Sequence, residues 1–412
     1  MTALVRRLLG GDEDAEATRA AALAGASAFL VMASWYVLRP VRDAMAIVGA
    51  TRDLPRLFLI TLAVTVLVAP PLFQLLGRAP KSKAVPWALR VLAVTLLGFA
   101  IGLGREPSVM VARAFFVWTS VLNLLSISLV WSAAADSFRP SEATRVFGFV
   151  AACGTAGAIV GSLVVSVGSS IGSAALVGLS AVLLEGAARA VGGLLRARSF
   201  VGGGASTPSG LVAAASRIVR SPHLGGIAAY VLLFTFTSSI LYFEQARLTK
   251  LEIPDAASRT ALFARMDLAV NLLGVALQAF ATRPFLRVLG VPAALAALPI
   301  ATGVALLTIE VAPVLAVVIV VQVVRRALDY AFTRPAREVL FTGVGEGDRY
   351  EAKSVLDTFV YRAGDAVAAT TVEAMGAASG LVLPVAVGVS MAWCAVGIAL
   401  GKRHARLTAS GS

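Results

Sequence analysis

Charged side chains are scarce in this chain of 412 residues, where they make up 14% against about 25% in an ordinary soluble domain. Apolar residues make up 58%, and the mean hydropathy is +0.84. So little charge excludes a disordered protein and a typical soluble enzyme. At about 20 apolar residues for each crossing, the length fits roughly ten to twelve membrane crossings with their loops. The composition therefore predicts an all-α membrane protein.

Cysteine and histidine each occur only twice, which excludes several kinds of site. Cys153 and Cys394 lie inside apolar runs, so we expect neither a disulfide framework nor a zinc site. His223 and His404 lie outside the predicted spans, so we expect no histidine proton relay. The sequence has no HExxH or GxSxG element and no Walker or dinucleotide-binding loop. We therefore predict that the protein is not an enzyme and uses no metal and no cofactor.

Basic residues outnumber acidic ones by 36 to 23, which gives a formal net charge of +13. On an apolar chain this excess is typical of cytoplasmic loops and does not indicate nucleic-acid binding. The predicted partners are the lipid bilayer and a small-molecule substrate, with no nucleic acid. We expect the protein to function as a monomer.

Twelve apolar runs of spanning length can be placed between residues 20 and 401. The widest gap between them, residues 196–223, is rich in Gly, Ser and Arg, a composition typical of a flexible cytoplasmic linker. The linker separates an N-terminal six-helix half, residues 1–195, from a C-terminal six-helix half, residues 224–412. Two six-helix halves joined by a basic linker are the layout of major facilitator transporters.

The distribution of basic residues predicts the orientation in the membrane. Lys and Arg are concentrated after the second span, in the central linker and in the C-terminal tail, and they are absent from the loops after the fifth, ninth and eleventh spans. Positively charged loops stay in the cytoplasm. We therefore predict a multi-pass protein of the bacterial cytoplasmic (inner) membrane with both termini inside the cell.

The first predicted span contains the densest cluster of charge at membrane depth. Tyr36, Arg39 and Asp43 share one helical face by their spacing of three and four residues, and Arg42 lies beside them. Pro40 weakens the backbone hydrogen bonding there, and interrupted helices line substrate sites in transporters. Because the arginine fork suits phosphate and carboxylate, we predict that the cluster binds an anionic substrate. A purely structural Arg39–Asp43 pair is the alternative.

Charged residues in the seventh, eighth, tenth and eleventh spans are further predicted substrate-binding residues. They are Glu244, Arg247, Asp267, Arg326, Asp357 and Arg362. The alternative for the tenth and eleventh spans is a salt-bridge network at a cytoplasmic gate, or a position among the lipid headgroups. The charged turns after the fourth and tenth spans look like repeats of each other, and we predict that they pair across the halves in the outward-open state. These gate residues are Arg139, Glu142 and Arg145 in the first half, and Arg337 and Glu338, with Asp348, Arg349 and Glu351, in the second.

The fifth span contains a glycine-rich segment, AACGTAGAIVGS, that resembles a nucleotide-binding loop only superficially. No strand precedes it, and the spacing matches neither a dinucleotide nor a Walker pattern. Gly157 and Gly161 instead form the small-xxx-small pattern of closely packed membrane helices. We therefore predict close helix packing at these two positions.

Three blocks of the chain resemble the ATP/ADP translocases, also called nucleotide triphosphate/diphosphate exchangers. They are WYVLRPVRDAM, WSAAADSFRPSEATRVFGFVAACGTAGAIVGS and RALDYAFTRPAREVLFTGVGEGDRYEAKSVLDTFVYRAGDA. The resemblance covers most of the chain and is greatest to short bacterial, facilitator-type members. It implies twelve helices and nucleotide exchange, with the family's basic–acidic signature on Arg39, Arg42 and Asp43. The chain departs from the family pattern where its fourth span lacks an acidic residue and where Arg42 replaces the usual lysine.

The sequence leaves three functions open. The first is a secondary transporter, an antiporter of an anionic, nucleotide-like solute that works by alternating access. The second is a proton-coupled facilitator-type transporter of an unrelated small solute, with Asp43, Asp267 or Asp357 taking up the proton. The third is a non-transporting membrane sensor or scaffold that keeps the fold, because a fold does not determine a function.

Overall fold

The computed structural model describes residues 15–49, 51–104, 107–198, 211–343, 352–353, 355–376 and 380–410, and its regular elements are all helical. Six long helices precede the linker: α1 (Ala15–Ala46), α2 (Leu54–Gly77), α3 (Lys81–Gly102), α4 (Val109–Ser137), α5 (Pro140–Gly168) and α6 (Ser173–Ala197). Six more follow it: α7 (Pro222–Glu252), α8 (Ala256–Phe280), α9 (Thr282–Val311), α10 (Leu315–Leu328), α11 (Tyr361–Met375) and α12 (Val382–Ser410). The predicted linker contains a shorter helix, Leu211–Arg220.

Ten of the described helices, α1–α9 and α12, are long and apolar enough to cross a membrane. The remaining two predicted spans are divided by π-helical segments. α10 continues through the π-helical segment Asp329–Thr333 into a short helix, Arg334–Leu340, and the π-helical segment Leu356–Val360 leads into α11. Many large apolar side chains lie on the helix surfaces, as expected of residues that face lipid. The predicted all-α membrane architecture is confirmed.

The chain folds into two compact units. Unit 1 comprises Met1–Gly49, Ala63–Gly204 and Ile253–Leu268, and unit 2 comprises Ala50–Leu62, Ala205–Glu252 and Ala269–Ser412. The first turns of α2 therefore belong to unit 2, and the first half of α8 belongs to unit 1. These are the second helix of each half of the sequence, so the linker alone does not delimit the units.

The central helix of unit 1 is α1, which packs against α4, α5 and α6. A Cβ atom on Gly157 would lie 2.1 Å from the carbonyl oxygen of Phe29, and one on Gly161 would lie 2.6 Å from that of Ala33. Any side chain at these positions would push α1 and α5 apart. The glycine-mediated packing predicted from the sequence is therefore confirmed. Large buried side chains of this unit's core include Leu38, Met45, Leu89, Phe115, Leu125 and Leu176.

The central helix of unit 2 is α7, which packs against α10, α11 and α12. Gly364 of α11 permits a close approach, since a Cβ atom there would lie 2.8 Å from the carbonyl oxygen of Leu232. The ring centroids of Tyr230 and Trp393 lie 5.4 Å apart in the core, and the Tyr230 hydroxyl donates to the carbonyl of Leu295 at 2.8 Å. α9 pairs with α12, as α3 pairs with α6 in unit 1. The two units thus use the same helix pairings, which supports the predicted internal repeat.

Candidate functional site

The charged cluster of α1 is built around Asp43, whose side chain is only 7% exposed. Arg42 donates from Nε and Nη2 to Asp43 Oδ1 at 2.9 and 2.6 Å. The Nε atom of Arg39 lies 3.8 Å from Asp43 Oδ2. One buried carboxylate thus holds two guanidinium groups from the same turn of helix, beside Pro40. Pairing of opposite charges lowers the free-energy cost of placing them at membrane depth.

A second carboxylate, from the other half of the sequence, completes the cluster. Asp267 of α8 lies in unit 1, and its Oδ1 atom is 3.2 Å from Nη1 of Arg39. The Asp267 side chain is 3% exposed, whereas that of Arg39 is 21% exposed. The structure therefore brings together four of the residues predicted to bind substrate, with two positive and two negative charges in balance.

The guanidinium of Arg42 also lies against aromatic rings. Its Cζ atom is 5.1 Å from the centroid of Trp35 and 5.2 Å from that of Phe116. Its Nη1 atom is 3.5 Å from the hydroxyl of Ser120 on α4, and its side chain remains 14% exposed. Aromatic faces attract a guanidinium and orient its plane. Chemically, such a group can exchange part of its bonding from Asp43 to another planar or tetrahedral anion.

Tyr36 is buried one turn before the cluster. Its Cβ atom would be 3.0 Å from a Cβ on Gly161, so the glycine of α5 determines how closely this part of α1 can approach. The closely packed glycine of α5 is therefore adjacent to the predicted substrate-binding residues of α1 in unit 1.

The predicted site residues of unit 2 form separate local pairs. Arg247 donates from Nε to Glu244 Oε2 at 2.9 Å within α7. Arg362 donates to Asp365 Oδ2 at 3.3 Å within α11. Arg326 of α10 is half-buried. The backbone of Asp357 belongs to the second π-helical segment, and its side chain lies outside the described part of the chain.

Asp365 was not predicted as a site residue, although it is buried and its partners include residues of two helices. Besides Arg362, it accepts a hydrogen bond from the hydroxyl of Ser239 on α7 at 2.7 Å. The sequence signal was the face that Asp365 shares with Asp357 and Tyr361. A serine on another helix gives no such signal in the sequence.

Polar residues also join α7 to α10, and the sequence analysis missed most of them. Glu252 Oε1 accepts from the backbone N–H of Leu315 at 3.0 Å. Gln322 donates to Gln245 at 2.9 Å. Arg325 donates to the hydroxyl of Ser238 at 2.9 Å. We call these three contacts the α7–α10 polar ladder.

The polar ladder has a regular spacing. Glu252, Gln245 and Ser238 are seven residues apart, which is about two helical turns, and they therefore share one face of α7. The signal available beforehand was Gln322, a lone amide within the apolar run LAVVIVVQVV.

The π-helical segment after α10 is held by side chains of the preceding helices. Gln278 donates to the carbonyl of Tyr330 at 2.9 Å, and the hydroxyl of Thr282 donates to the carbonyl of Ala331 at 2.8 Å. These bonds satisfy carbonyl groups that an α-helical pattern would have paired internally. Asp329 at the start of the segment pairs with Arg334 at 3.0 Å.

The two acidic gate residues that the structure describes, Glu142 and Glu338, have partners in their own units. Glu142 accepts from Arg198 at 2.7 and 3.1 Å in unit 1. Glu338 accepts from Lys353 at 2.7 and 2.8 Å in unit 2. Arg139 and Arg145 are exposed, and Arg337 is half-buried. Asp348, Arg349 and Glu351 lie outside the described residues, and pairing across the halves stays a prediction.

Hydrogen bonding to Arg198 lowers the pKa of Glu142 from its ordinary value of 4.5, and the backbone N–H of Arg139 adds to the effect. Glu142 is therefore charged throughout the neutral range. It fixes the start of α5, because its carboxylate also caps the helix N-terminus.

No protein-family model matches the sequence, and no curated protein sequence matches it. Several solved structures are similar over nearly the whole chain. The nucleoside transporter NupG has a TM-score of 0.65 and 14% identity, covering 93% of this chain and 98% of its own. A bacterial homologue of the iron transporter ferroportin has a TM-score of 0.64 and 15% identity, with coverage of 93% and 98%. The POT family transporter PepTSo has a TM-score of 0.63 and 15% identity, with coverage of 95% and 98%.

These similarities extend over both halves of the chain, and at such low identity they identify the fold alone. The resemblance to ATP/ADP translocases has no family-model match behind it. All three neighbours are transporters by name, and the names of the first two give different cargoes, nucleosides and iron. The chain has the fold of the major facilitator transporters, with twelve transmembrane helices in two six-helix halves.

Proposed function

We propose that this protein is a secondary transporter that moves an anionic, nucleotide-like solute by alternating access, in exchange for a second solute. We further propose that it acts as a monomer in the bacterial cytoplasmic membrane, with both termini inside the cell. The observation that carries the proposal is the α1 cluster, where two partly exposed arginines lie beside a proline at membrane depth. Intramembrane charges of this kind mark substrate and ion pathways.

The arrangement around Arg42 favours an anion with a planar aromatic group. Its guanidinium can bind phosphate or carboxylate with two parallel hydrogen bonds. Trp35 and Phe116 beside it offer ring faces on which a base can stack. The resemblance of the α1 segment to nucleotide exchangers supports the same solute class, as does the fold shared with a nucleoside transporter.

The Arg39–Asp267 pair favours proton coupling as a second candidate function. Asp267 is almost completely buried and lies 3.2 Å from Arg39. Protonation of a buried carboxylate would release its arginine, and a substrate anion could then take its place. In this case the solute moves with a proton and not against a counter-solute.

Transport into proteoliposomes distinguishes the two functions. We expect uptake of radiolabelled ADP, ATP or AMP that requires an unlabelled nucleotide inside the vesicle and is insensitive to an uncoupler. Uptake that collapses with the uncoupler and needs no internal solute would instead favour proton coupling. No uptake of any nucleotide under either condition would contradict the proposed solute class.

Substitutions in the α1 cluster test whether it binds the anion. Arg39→Ala and Arg42→Ala should abolish uptake while folded protein is retained, because losing one partner of a desolvated charged contact costs about 2–5 kcal/mol. Arg42→Lys should keep part of the activity if only charge matters, and none if a bidentate fork is needed. The matched control is Arg287→Gln, which changes an exposed arginine on α9. Normal uptake by both alanine variants would show that the cluster is structural.

A further inference from the structure

Four exposed basic residues of unit 2 lie outside the site described above. They are Arg220 at the end of the linker helix Leu211–Arg220, and Lys402, Arg403 and Arg406 near the end of α12. Within the part of the chain that the structure describes, none of the four forms an ion pair with a carboxylate. We call these four residues the basic patch.

The first turns of α7 bring the two parts of the basic patch together. A Cβ atom on Gly225 would lie 3.3 Å from the carbonyl oxygen of Ile218 in the linker helix. A Cβ atom on Gly226 would lie 2.7 Å from Cδ2 of Leu400 in α12. The linker helix and the end of α12 therefore both pack closely on the same turn of α7.

A pair of histidines joins α7 to the end of α12 at the same place. The rings of His223 and His404 stack with their centroids 6.3 Å apart, and both residues are buried. The Nε2 atom of His223 lies 2.9 Å from the carbonyl oxygen of Leu340. The end of α12 is therefore held against α7, and the exposed basic residues around His404 are held with it.

The two segments that form the basic patch contain no acidic residue. The sequence has no Asp or Glu in residues 186–243 and none in residues 374–412. Glu338, in the short helix that ends beside His223, already pairs with Lys353. The patch is therefore a surface of one charge sign.

The basic patch lies where two membrane-crossing helices end. α7 begins at Pro222, and the apolar span of α12 ends at Arg406. Val219, next to Arg220, is 84% exposed, so an apolar side chain and a cation are presented together. Helices with this combination lie at the membrane interface, with the basic residues among the lipid headgroups.

We propose that the basic patch binds the headgroups of anionic phospholipids at the membrane surface, so that lipid phosphate diesters supply its counter-charge. Lys and Arg near an anionic membrane surface are attracted to it, and the arginine fork matches two phosphate oxygens. Val219 would lie against the acyl chains below the headgroups. A bound lipid would hold the linker helix and α12 against α7 and would stabilise unit 2, whichever solute the protein carries.

The test measures the melting temperature of the purified full-length protein in a neutral detergent. Phosphatidylglycerol, phosphatidylcholine or inorganic phosphate is added, because both lipids contain a phosphate diester and only phosphatidylglycerol has a net charge. Lipids that bind the folded state raise the melting temperature. We expect phosphatidylglycerol to stabilise the wild type far more than the other two. Raising the salt concentration from about 0.1 M to about 1 M shortens the Debye length from about 10 Å to about 3 Å, so this shift should then largely disappear.

Two matched variants locate the lipid on the protein. The patch variant combines Arg220→Gln, Lys402→Gln, Arg403→Gln and Arg406→Gln. The control combines Arg19→Gln, Arg78→Gln, Lys83→Gln and Arg196→Gln, which removes the same number of charges from exposed positions of unit 1. Half of the maximal shift should require at least about tenfold more phosphatidylglycerol in the patch variant, and should stay within about threefold of wild type in the control.

Five results would overturn the lipid site. On the wild type they are a shift with phosphatidylcholine as large as that with phosphatidylglycerol, a shift that survives high salt, and stabilisation by inorganic phosphate alone, which would indicate a site for a small anion. On the variants they are an unchanged response of the patch variant and an equal loss in patch variant and control. The wild-type measurements test the proposal even if the fourfold variant does not fold. In that case Lys402→Gln with Arg406→Gln replaces it, and Arg78→Gln with Lys83→Gln is the control.

Discussion

At the scale of single residues, the ion pair between Arg39 and Asp267 joins positions far apart in the sequence. Arg39 and Asp267 belong to different halves of the chain, and each was predicted as a site residue from its own span. Their pairing depends on the first half of α8 belonging to unit 1. The spacing within one helix indicates only neighbours on that helix, such as Arg39 and Asp43.

We expect the Arg39–Asp267 pair to contribute more to stability than a shorter ion pair at the surface. A double-mutant cycle with Arg39→Gln and Asp267→Asn should give a coupling energy above about 1 kcal/mol, since one partner is fully desolvated. The control cycle is Arg56→Gln with Glu373→Gln. Those side chains lie 2.8 Å apart but are 70% and 34% exposed, and they should give under about 1 kcal/mol. Both coupling energies are measured by unfolding in detergent. Equal values for the two cycles would contradict the argument that burial strengthens the Arg39–Asp267 pair.

A second prediction concerns the glycines of α5. Gly161→Ala should destabilise the folded protein by about 1–3 kcal/mol, because the added Cβ meets the carbonyl oxygen of Ala33 at 2.6 Å. Gly148→Ala on the same helix is the control, since nothing lies within 4 Å of an added Cβ there. The control should be neutral, or stabilising by up to about 1 kcal/mol through helix propensity. Thermal unfolding in detergent measures both effects, and a destabilised control with an unaffected Gly161→Ala would contradict the packing argument.

At the scale of elements, two interruptions distinguish α10 and α11 from the other spans. Both predicted spans contain a π-helical segment, and the first of them receives side-chain hydrogen bonds from Gln278 and Thr282. π-helical segments occur often at functional positions. The sequence indicated these two spans by their charge, because Asp329 and Asp357 lie within the interrupted segments. Hydropathy alone cannot distinguish an interrupted helix from a regular one.

The start of α5 should respond to pH through Glu142. Its pKa is lowered in the folded protein, so it stabilises the fold above its ordinary value of 4.5, and this contribution is lost as the pH falls through the lowered pKa. The free energy of unfolding should therefore differ between wild type and Glu142→Gln by about 1 kcal/mol near pH 7, and the difference should shrink below about pH 4. Arg198→Gln should show the same pH dependence, because it removes the same pair. A difference that grows in acid would contradict this account.

At the scale of the whole molecule, the orientation in the membrane is the prediction that depends on both halves. In a cysteine-free background, Ser170→Cys should react with an impermeant thiol reagent added to intact cells, because it is exposed in the turn after α5, which has no basic residue. Ser82→Cys lies in the first turn of α3 between Lys81 and Lys83, and it should react only after the cells are permeabilised. Labelling of Ser82→Cys in intact cells, without labelling of Ser170→Cys, would reverse the predicted orientation.

The order and number of helices follow from the sequence because twenty apolar residues in lipid must satisfy their backbone hydrogen bonds within one helix. Pattern and composition therefore predicted the helical spans and the glycine contact of α5 with α1, whereas the break at the linker does not by itself delimit the two units. Pattern and composition also located the charged residues within the predicted spans. This information is local, since a helix forms from hydrogen bonds between residues four apart.

Only the tertiary structure decided which charges meet. The sequence does not indicate which basic residue pairs with Asp267. Asp267 lies beside Arg39 because the first half of α8 belongs to unit 1. Arg325 and Arg326 are neighbours of the same type, yet α7 covers one of them more completely and places it beside a serine and an aromatic ring. The burial and the partners of a side chain depend on the neighbouring helices. Consecutive residues of a helix point about 100° apart, so one of two neighbours can face another helix while the next does not. For this reason the sequence by itself determined the helical fold, whereas packing determined which charged side chains are buried and which of them are paired.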